Sequence, residues 1–361
     1  MIDQRDRKRT EWIGVIFLLL ISILFGILGF EGASTAAERG AADFFKGATI
    51  RIIVFASPGG AADTCARVPA LSFGRYTGAR VVVENMSGAG GYVGLRFLYT
   101  AKPDGLTLGL MPNPTGAFMA EELGQKEITW QLDKFEYVAR VLRGSGGILM
   151  VGKQSSIHAL EDLLKSKREI RAATMDPTVG TSLNSALAAE ALGLNLKIVT
   201  GFPGGRACIL AVMKGEIEMT VNPPAGFEDE FKKGELRAFA IAAGREIAPL
   251  FRPIFASVPR LLDLPLPQEK KRYLELSASL NEIGFPLAAP PRVPKDRVQF
   301  LESAWLKSLG EPEVRKTLEN RGDFYAPLPG AEYLQILKGL KKVVADIGAK
   351  NVNHILFEKY Y

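Results

Sequence analysis

Two glycine-rich turns are the residues best suited to hold a ligand. The first has the sequence SPGGAAD at residues 57–63, and the second has SGAGG at residues 87–91. Each turn follows an apolar, β-branched run and precedes a helical pattern, so each places backbone N–H groups at a helix N-terminus. Those N–H groups lack partners within the helix and lie at the positive end of its dipole, which favours anions. The two turns therefore predict a site for a carboxylate or a phosphate.

Asp63 lies in the first turn of the first predicted helix, and two interpretations of it stay open. The helix dipole stabilises an acidic residue at that position without any ligand. Alternatively, its carboxylate receives an ammonium or hydroxyl group of a ligand that the neighbouring amides hold.

The elements around these turns alternate between strand and helix. The predicted order is a strand at 49–56, a helix at 61–76, a strand at 81–84, a helix at 92–101 and a strand at 106–111. This order is typical of a parallel α/β sheet. Ligands of such sheets bind beyond the carboxyl ends of the strands, where both glycine-rich turns lie.

The alternation then restarts, and we interpret residues 143–146 as a crossing between two lobes. Strands are predicted at 135–141, 147–152, 170–175, 196–200, 218–222 and 236–242, and helices at 155–167, 181–192 and 206–214. Prolines after residue 252 indicate a return linker, followed by a strand-like segment at 281–289 and helices at 295–309 and 313–320. The last long helix has one apolar face, which we expect to pack on the first lobe.

The composition is that of a globular chain large enough for two lobes. Of the 361 residues, 47% are hydrophobic and 23% are charged, and the net charge is +6. Disordered and fibrous classes are therefore excluded. The positive excess forms no run of Lys and Arg in the body of the chain, so it suits small acidic ligands better than nucleic acid.

The N-terminal residues have the pattern of an export signal. A basic segment at residues 5–9 precedes an uncharged apolar run at 12–30 and a stretch of small residues at 32–37. Cleavage after Ala36 and retention as an uncleaved membrane anchor both fit, because the run approaches the roughly 20 residues that span a bilayer. No cysteine directly follows the run, so a lipoprotein anchor is excluded. We expect a periplasmic protein.

Residues for catalysis or metal binding are scarce. The chain has only two histidines, His158 and His354, and no Cys-x-x-Cys, His-x-x-x-His or Gly-x-Ser-x-Gly pattern. The second glycine-rich turn is a poor dinucleotide motif, because its last spacing is one residue too long for Gly-x-Gly-x-x-Gly and no acidic residue ends the next strand. We therefore predict neither an enzyme nor a metal site, and no cofactor.

Cys65 and Cys208 are the only cysteines. An oxidising compartment permits a disulfide between them. Each of them, however, lies near the start of a predicted helix in a different lobe, and a bond would lock the lobes together. We therefore predict two unpaired thiols that behave as small buried hydrophobic residues.

Three spaced motifs, in one order, resemble a known family. They are PGGxxDxxAR from residue 58, VENxxGAGGxxG from residue 83 and PDGxTL from residue 103. Over about residues 46 to 350 the chain resembles the extracytoplasmic solute receptors of tripartite tricarboxylate transporters, the Bug-type family. The segments 204–218 and 312–329 also resemble the family pattern.

The resemblance implies a periplasmic binding protein fold of type II, with two α/β lobes that close on a ligand. It implies lobe 1 at residues 46–145, lobe 2 at 146–255 and a return to lobe 1 at 256–361, after an export segment at 1–36. The implied function is capture of a small carboxylate and its delivery to the membrane permease subunits of a tripartite tricarboxylate transporter, by a monomer that does not bind nucleic acid. A membrane-tethered carboxylate sensor and a nucleotide-using enzyme are the alternatives.

The resemblance also suggests which residues contact the ligand. Backbone amides of the two turns would hold one carboxylate, with contributions from Ser57, Gly59, Gly60, Gly88, Ala89 and Gly90. Asp63 or Asn85 would hold a polar substituent or a bridging water. Residues from the hinge and the second lobe would close over it, namely Thr115, Thr178, Thr181 and Asn222.

The chain departs from the family pattern at the start of the second-lobe helix. Where the family usually has Ser-x-x-His, this chain has Thr181, Ser182, Leu183 and Asn184. The identity of the acid therefore stays open among citrate, dicarboxylates, acidic amino acids and aromatic acids.

Overall fold

The computed structural model describes residues 39–112, 114–126, 128–144, 146–244, 246–320 and 324–361. The predicted export segment at residues 1–36, and Ser145 of the predicted crossing, lie outside the described residues. Within those ranges, no helix is both long and apolar enough to cross a membrane.

Strands and helices alternate through most of the described chain. The first part contains β1 (Thr49–Val54), α1 (Ala61–Thr77), β2 (Arg80–Asn85), α2 (Tyr92–Tyr99), β3 (Thr107–Leu110), α3 (Thr115–Glu122) and β4 (Glu136–Arg143). The middle part contains β5 (Gly147–Gly152), α4 (Leu160–Lys165), β6 (Ile170–Ala173), α5 (Gly180–Leu192), β7 (Leu196–Val199), α6 (Gly205–Lys214), β8 (Met219–Asn222), α7 (Glu228–Lys232) and β9 (Leu236–Ala243). The last part contains α8 (Gln268–Asn281), β10 (Pro286–Ala289), α9 (Lys295–Leu309), α10 (Pro312–Glu319), β11 (Phe324–Pro329), α11 (Gly330–Ile347) and α12 (Ala349–Phe357).

The first sheet has the strand order β11-β4-β10-β3-β1-β2. β1 is parallel to β2 and β3, as the alternating pattern predicts, whereas β10, β4 and β11 join in antiparallel pairs. β1 is a largely buried, β-branched run because it lies inside the sheet, as is typical of parallel strands covered on both faces. Val54 pairs with both Asn85 and Leu110, so the three parallel strands end at one edge.

The second sheet has the strand order β7-β6-β8-β5-β9. β6 is parallel to β7 and β8, while β5 is antiparallel to β8 and β9. The carboxyl ends of β6 and β8 therefore meet at one edge. α5 follows the first of these strands, and Pro223 follows the second.

Glycine terminates several of the helices. α1, α5 and α6 end at Gly78, Gly193 and Gly215, whose φ angles are 69°, 68° and 78°. A residue with a Cβ is disfavoured in this left-handed conformation, so these glycines stop the helices at defined positions.

The C-terminal helices connect the two sheets. α11 packs on β4 of the first sheet, and α12 packs on α5 beside the second. The backbone carbonyl of Tyr360 accepts a hydrogen bond from the N–H of Ile198 on β7 at 2.6 Å. The carboxylate of Glu190 on α5 accepts hydrogen bonds from Lys270, Lys359 and Tyr360. The chain end therefore binds the second sheet after packing against the first.

Most predicted elements lie within two residues of their observed bounds, but two predictions were wrong. The helix predicted at 155–167 begins only at Leu160, because the Asp162 carboxylate accepts hydrogen bonds from the N–H groups of His158 and Ala159 and so caps it there. The return linker contains α8, and the strand predicted from residue 281 begins at Pro286. The helix QEKKRYLELSASLN was not predicted, because it begins with charged residues directly after a proline-rich stretch that is typical of a linker.

Cys65 and Cys208 are not bonded to each other, and both are buried, as predicted. Cys65 packs in the core between the first sheet and its helices, and Cys208 packs in a separate core on the second sheet. Burial raises the pKa of the Cys208 thiol to about 11. It therefore stays protonated at neutral pH and is a poor nucleophile.

The start of α11 gives a test of this packing. A Cβ added at Gly330 would overlap the carbonyl oxygen of Tyr137 on β4, whereas a Cβ added at Gly339, in the same helix, meets no atom within 4 Å. We expect Gly330→Ala to lower the free energy of unfolding by about 1–3 kcal/mol, the usual effect of overpacking. Gly339→Ala should instead raise it by up to about 1 kcal/mol, because alanine favours helix. Urea denaturation of both variants measures the difference, and equal effects would contradict this packing.

Candidate functional site

A cleft lies where the loops of the two sheets face each other. Its volume is about 340 Å³. Residues from both sheets and from the crossing segment line it: Gly90, Tyr92, Pro112, Pro114, Gly116, Ala117, Gly144, Gly146, Gly147, Met175, Thr178, Val179, Gly180, Thr181, Asn184, Pro223, Asn281 and Phe285. The size suits a small organic molecule.

Three helices begin at this cleft. Tyr92 starts α2, Pro114 immediately precedes α3, and Gly180 starts α5, and all three residues line the cleft. The first N–H groups of a helix have no partner within it, and its dipole places partial positive charge there. α2 and α3 belong to the first sheet and α5 to the second, so positive potential reaches the cleft from both sides.

No Asp, Glu, Lys, Arg or His occurs among the described residues that line the cleft. Backbone amides and neutral side chains are therefore the groups available to an anion. Such donors need no desolvation of a buried cation, which is a large unfavourable term for a charged side chain.

Two polar side-chain atoms at the cleft are buried without a hydrogen-bond partner. They are the Tyr92 hydroxyl and Thr181 Oγ1. The Tyr92 ring packs edge-on against Trp130, with centroids 4.9 Å apart, which holds the hydroxyl in place. Burial, with the nearby Asp176 carboxylate, raises the pKa of Tyr92, so the phenol stays protonated and can donate. Buried polar atoms are normally paired, so these two hydroxyls are candidates to pair with a ligand in the cleft that their residues line.

The second glycine-rich turn reaches the cleft through Gly90. Residues Gly88, Ala89, Gly90 and Gly91 all have positive φ. At Gly90, φ is 62° and a Cβ would meet no atom within 4 Å, so the backbone conformation and the open space both suit glycine. Gly88 and Ala89 are exposed and do not line the cleft.

The first glycine-rich turn lies beside the second but does not line the cleft. Asn85 Nδ2, at the end of β2, donates to the Ala56 carbonyl at 3.0 Å, which joins the two turns. Ser57, Gly59 and Gly60 are exposed, and none lines the cleft. The two turns therefore leave the same edge of the sheet, while only the second contributes to the cavity.

Asp63 occupies the anion position that the first turn offers. Its carboxylate accepts hydrogen bonds from the Gly59 N–H at 3.0 Å, Arg67 Nε at 2.9 Å and Asn85 Nδ2 at 2.9 Å. Desolvation raises the pKa of Asp63, but these hydrogen bonds together outweigh it and leave the pKa below its ordinary value. With 6% of its surface exposed, Asp63 acts as an internal ligand of the turn.

The remaining predicted residues are distributed around the cleft. Thr178 and Thr181 line it, and Thr178 donates through its N–H and hydroxyl to Asp176 Oδ1 at 2.8 and 2.6 Å. Thr115 is buried, and its hydroxyl lies 3.5 Å from the Leu280 carbonyl at the end of α8. Asn222 is buried and donates to the Thr220 hydroxyl, one residue before the cleft-lining Pro223.

The structure thus brings Gly90, Thr178 and Thr181 together in the cleft. The residues that sequence reasoning missed include Tyr92, Asn184 and Asn281. Tyr92 directly follows the second turn, and Asn184 lies one helical turn after Thr181, so both had a positional signal. Asn281 had none, because α8 was not predicted. In the described part of the chain, no group of three or more His, Cys, Asp or Glu side chains is placed to hold a metal ion.

Two sheets whose loops face each other across a cleft lined by helix N-termini are typical of a two-lobed solute-binding protein. The model of the tripartite tricarboxylate transporter family receptor, TctC, matches residues 65–328. The chain belongs to this family of periplasmic solute receptors, which confirms the resemblance and the type II fold class.

Individual proteins are similar to this chain in sequence or in fold. A UPF0065 protein of the tcbD-tcbE intergenic region of Pseudomonas sp. strain P51 is 25% identical over 305 residues, which cover 83% of this chain and 85% of that protein. A TctC solute-binding protein from Polaromonas, solved without ligand, has a TM-score of 0.64 at 22% identity and covers 82% of this chain and 98% of its own. MatC from Rhodopseudomonas palustris, solved with bound malate, has a TM-score of 0.61 at 21% identity, with 83% and 98% covered.

The Asp63 interactions predict a stability effect that depends on pH. We expect Asp63→Asn to lower the free energy of unfolding at pH 7 by about 1–3 kcal/mol, because it removes the charge from several hydrogen bonds. The folded-state pKa of Asp63 is lowered. Its contribution is therefore present above the unfolded-state pKa of about 4 and is lost as pH falls through the folded-state value.

Urea denaturation at pH 7 and at acidic pH measures this difference, which should shrink in acid. Asp296→Asn removes an acidic residue from the first turn of α9 and controls for the helix dipole alone. A difference between wild type and Asp63→Asn that grows in acid would contradict the assignment.

Proposed function

We propose that this receptor captures a small organic acid in the periplasm and delivers it to the membrane permease subunits of a tripartite tricarboxylate transporter. The observation that carries the proposal is the convergence of three helix N-termini on a cleft whose described lining has no charged side chain. Such a cleft stabilises a negative charge, and its described lining has no acidic side chain to neutralise a positively charged group of a ligand.

The proposed lobes, at residues 46–145, 146–255 and 256–361, would close around the acid. A Cβ added at Gly116 of α3 would lie 2.5 Å from the carbonyl oxygen of Thr178, in the loop between β6 and α5. The two halves are thus in backbone contact beside the cleft, and this contact supports capture by closure. Release to a permease then requires the same contact to open.

The malate bound by MatC supports an acid of similar size for this chain. The apolar area contributed by Met175, Val179 and Phe285 also suits a carbon skeleton between the polar ends. We further propose that the first carboxylate binds near Gly90 and the start of α3 and α5. The hydroxyls of Tyr92 and Thr181, which lack partners, would complete its hydrogen bonds.

A thermal-shift screen tests this function. The purified protein is heated with citrate, malate, other dicarboxylates, acidic amino acids, aromatic acids and, as the competing class, ATP and NAD. A ligand at about 100 times its Kd stabilises the native state by about 2.7 kcal/mol, so an acid that binds raises the midpoint temperature. Stabilisation by nucleotides alone, or by none of the acids, would contradict the proposal.

Two glycine variants test which turn holds the carboxylate of the best acid in that screen. Gly90 and Gly59 have φ angles of 62° and 83°, and a Cβ at either meets no atom within 4 Å, so valine strains both backbones comparably. Only Gly90 lines the cleft. We expect Gly90→Val to weaken binding at least about tenfold, equivalent to about 1.4 kcal/mol, and Gly59→Val to leave affinity nearly unchanged. Calorimetry measures the affinity of both variants. Equal losses of affinity would indicate that the first turn also contributes to the binding site.

A further inference from the structure

A buried polar network links the cleft to α8. Ser277 Oγ donates to Asn184 Oδ1 at 2.8 Å, and Asn281 Nδ2 lies 3.5 Å from the same oxygen. Asn281 Nδ2 also donates to the Ser277 carbonyl at 2.8 Å. The three side chains are nearly inaccessible, with 6%, 0% and 8% of Asn184, Ser277 and Asn281 exposed.

This network determines which way the Asn184 amide points. The Ser277 carbonyl oxygen can only accept a hydrogen bond, so the Asn281 side-chain atom beside it must be the NH₂ nitrogen. The Asn184 atom that faces this NH₂ group is then its oxygen, and the Ser277 hydroxyl, which can donate or accept, donates to the same oxygen. In the described residues, both hydrogen bonds of the Asn184 side chain use that oxygen. Its NH₂ group is left for the cleft, which Asn184 lines.

Asn184 is also placed for contact with the same ligand as Thr181. The two residues are three positions apart on α5 and therefore lie on one face of the helix. Thr181 Oγ1 is buried without a partner, and Asn184 lies one turn deeper along the helix. A ligand whose carboxylate binds at the start of α5 would extend past Thr181 toward the Asn184 amide.

We propose that Asn184 is a specificity-determining residue that donates a hydrogen bond to an acceptor oxygen at the far end of the ligand, and that Ser277 is its positioning residue. The proposal rests on the proposed function. It predicts an acid whose second polar group is an acceptor, either a carboxylate or an uncharged amide or carbonyl oxygen. An acid that ends in a methyl group leaves the buried amide unpaired and binds more weakly.

Three matched sets of probes test the donor. They are diacids of four to six carbons, their monoamides, and the monocarboxylates of the same length. For at least one length, wild type should bind the diacid and the monoamide about tenfold or more tighter than the monocarboxylate in calorimetry, since a hydrogen bond to a charged group contributes about 1.5–3 kcal/mol.

Asn184→Asp keeps the size of the side chain and its acceptor for Ser277, but it replaces the donor with a negative charge. Diacid affinity should fall at least about tenfold by repulsion, while the monoamide, whose NH₂ group can donate, falls less and the monocarboxylate stays within about threefold. Asn195→Asp, on the exposed end of a loop before β7, controls for added charge away from the cleft.

Ser277→Ala tests positioning without adding a charge. It frees the Asn184 amide to rotate, so the preference for diacid over monocarboxylate should fall severalfold while monocarboxylate affinity is retained. A merely structural role would change all affinities together. Equal changes across the three probe classes, or no change in either variant, would overturn this proposal and leave the proposed function standing. Failure of all probes to bind wild type would also overturn it, and the wider acid screen then decides the proposed function separately.

Discussion

The proposed recognition of an anion without a cation is the constraint on which the architecture depends. The described lining of the cleft supplies no Lys, Arg or His, so positive potential must come from oriented backbone. One helix N-terminus gives only a partial charge, and three become effective only if the chain brings their first residues together. Parallel strands do this, because their carboxyl ends share one edge and each is followed by a helix that starts there. The two-sheet arrangement then opposes α5 to α2 and α3 across the gap.

The same physics has a structural outcome at α1 and, in the proposed function, a ligand-binding one at α5. At α1 the chain supplies its own anion, since Asp63 accepts the Gly59 N–H and is in turn held by Arg67 and Asn85. At α5, the Asp176 carboxylate binds the N–H of Thr178, before the helix begins, and leaves Gly180 and Thr181 on the cleft. Asp63 lies four positions after Gly59 and fills the anion position of that turn. Asp176 lies two positions before Thr178, so it shapes the loop but does not occupy the N-terminus of α5.

Sequence reasoning identifies the fold because its signals are local and repeated. The β-branched runs predict most strands within two residues, and the predicted ends of α1, α5 and α6 lie within two residues of Gly78, Gly193 and Gly215, where these helices end. The site is less accessible to such reasoning, because a motif does not say whether its amides are already satisfied. From the sequence, the amides of the first turn are expected to be as available to a ligand as those of the second. The structure shows that the Gly59 N–H already donates to the Asp63 carboxylate. Asn281 belongs to a helix hidden by charged residues and reaches the cleft only through tertiary packing.

The network around Asn184 also connects binding to the crossing between the sheets. The N–H of Gly144, in the crossing after β4, donates to the Asn281 carbonyl at 2.9 Å, and a Cβ at Gly144 would lie 2.9 Å from that oxygen. Asn281 therefore contacts the crossing through its backbone and Asn184 through its side chain. A ligand that pairs with the Asn184 amide would stabilise the arrangement in which α5, α8 and the crossing are in contact. Because a ligand shifts a conformational equilibrium only by its differential affinity for the two states, this contact gives closure a physical basis.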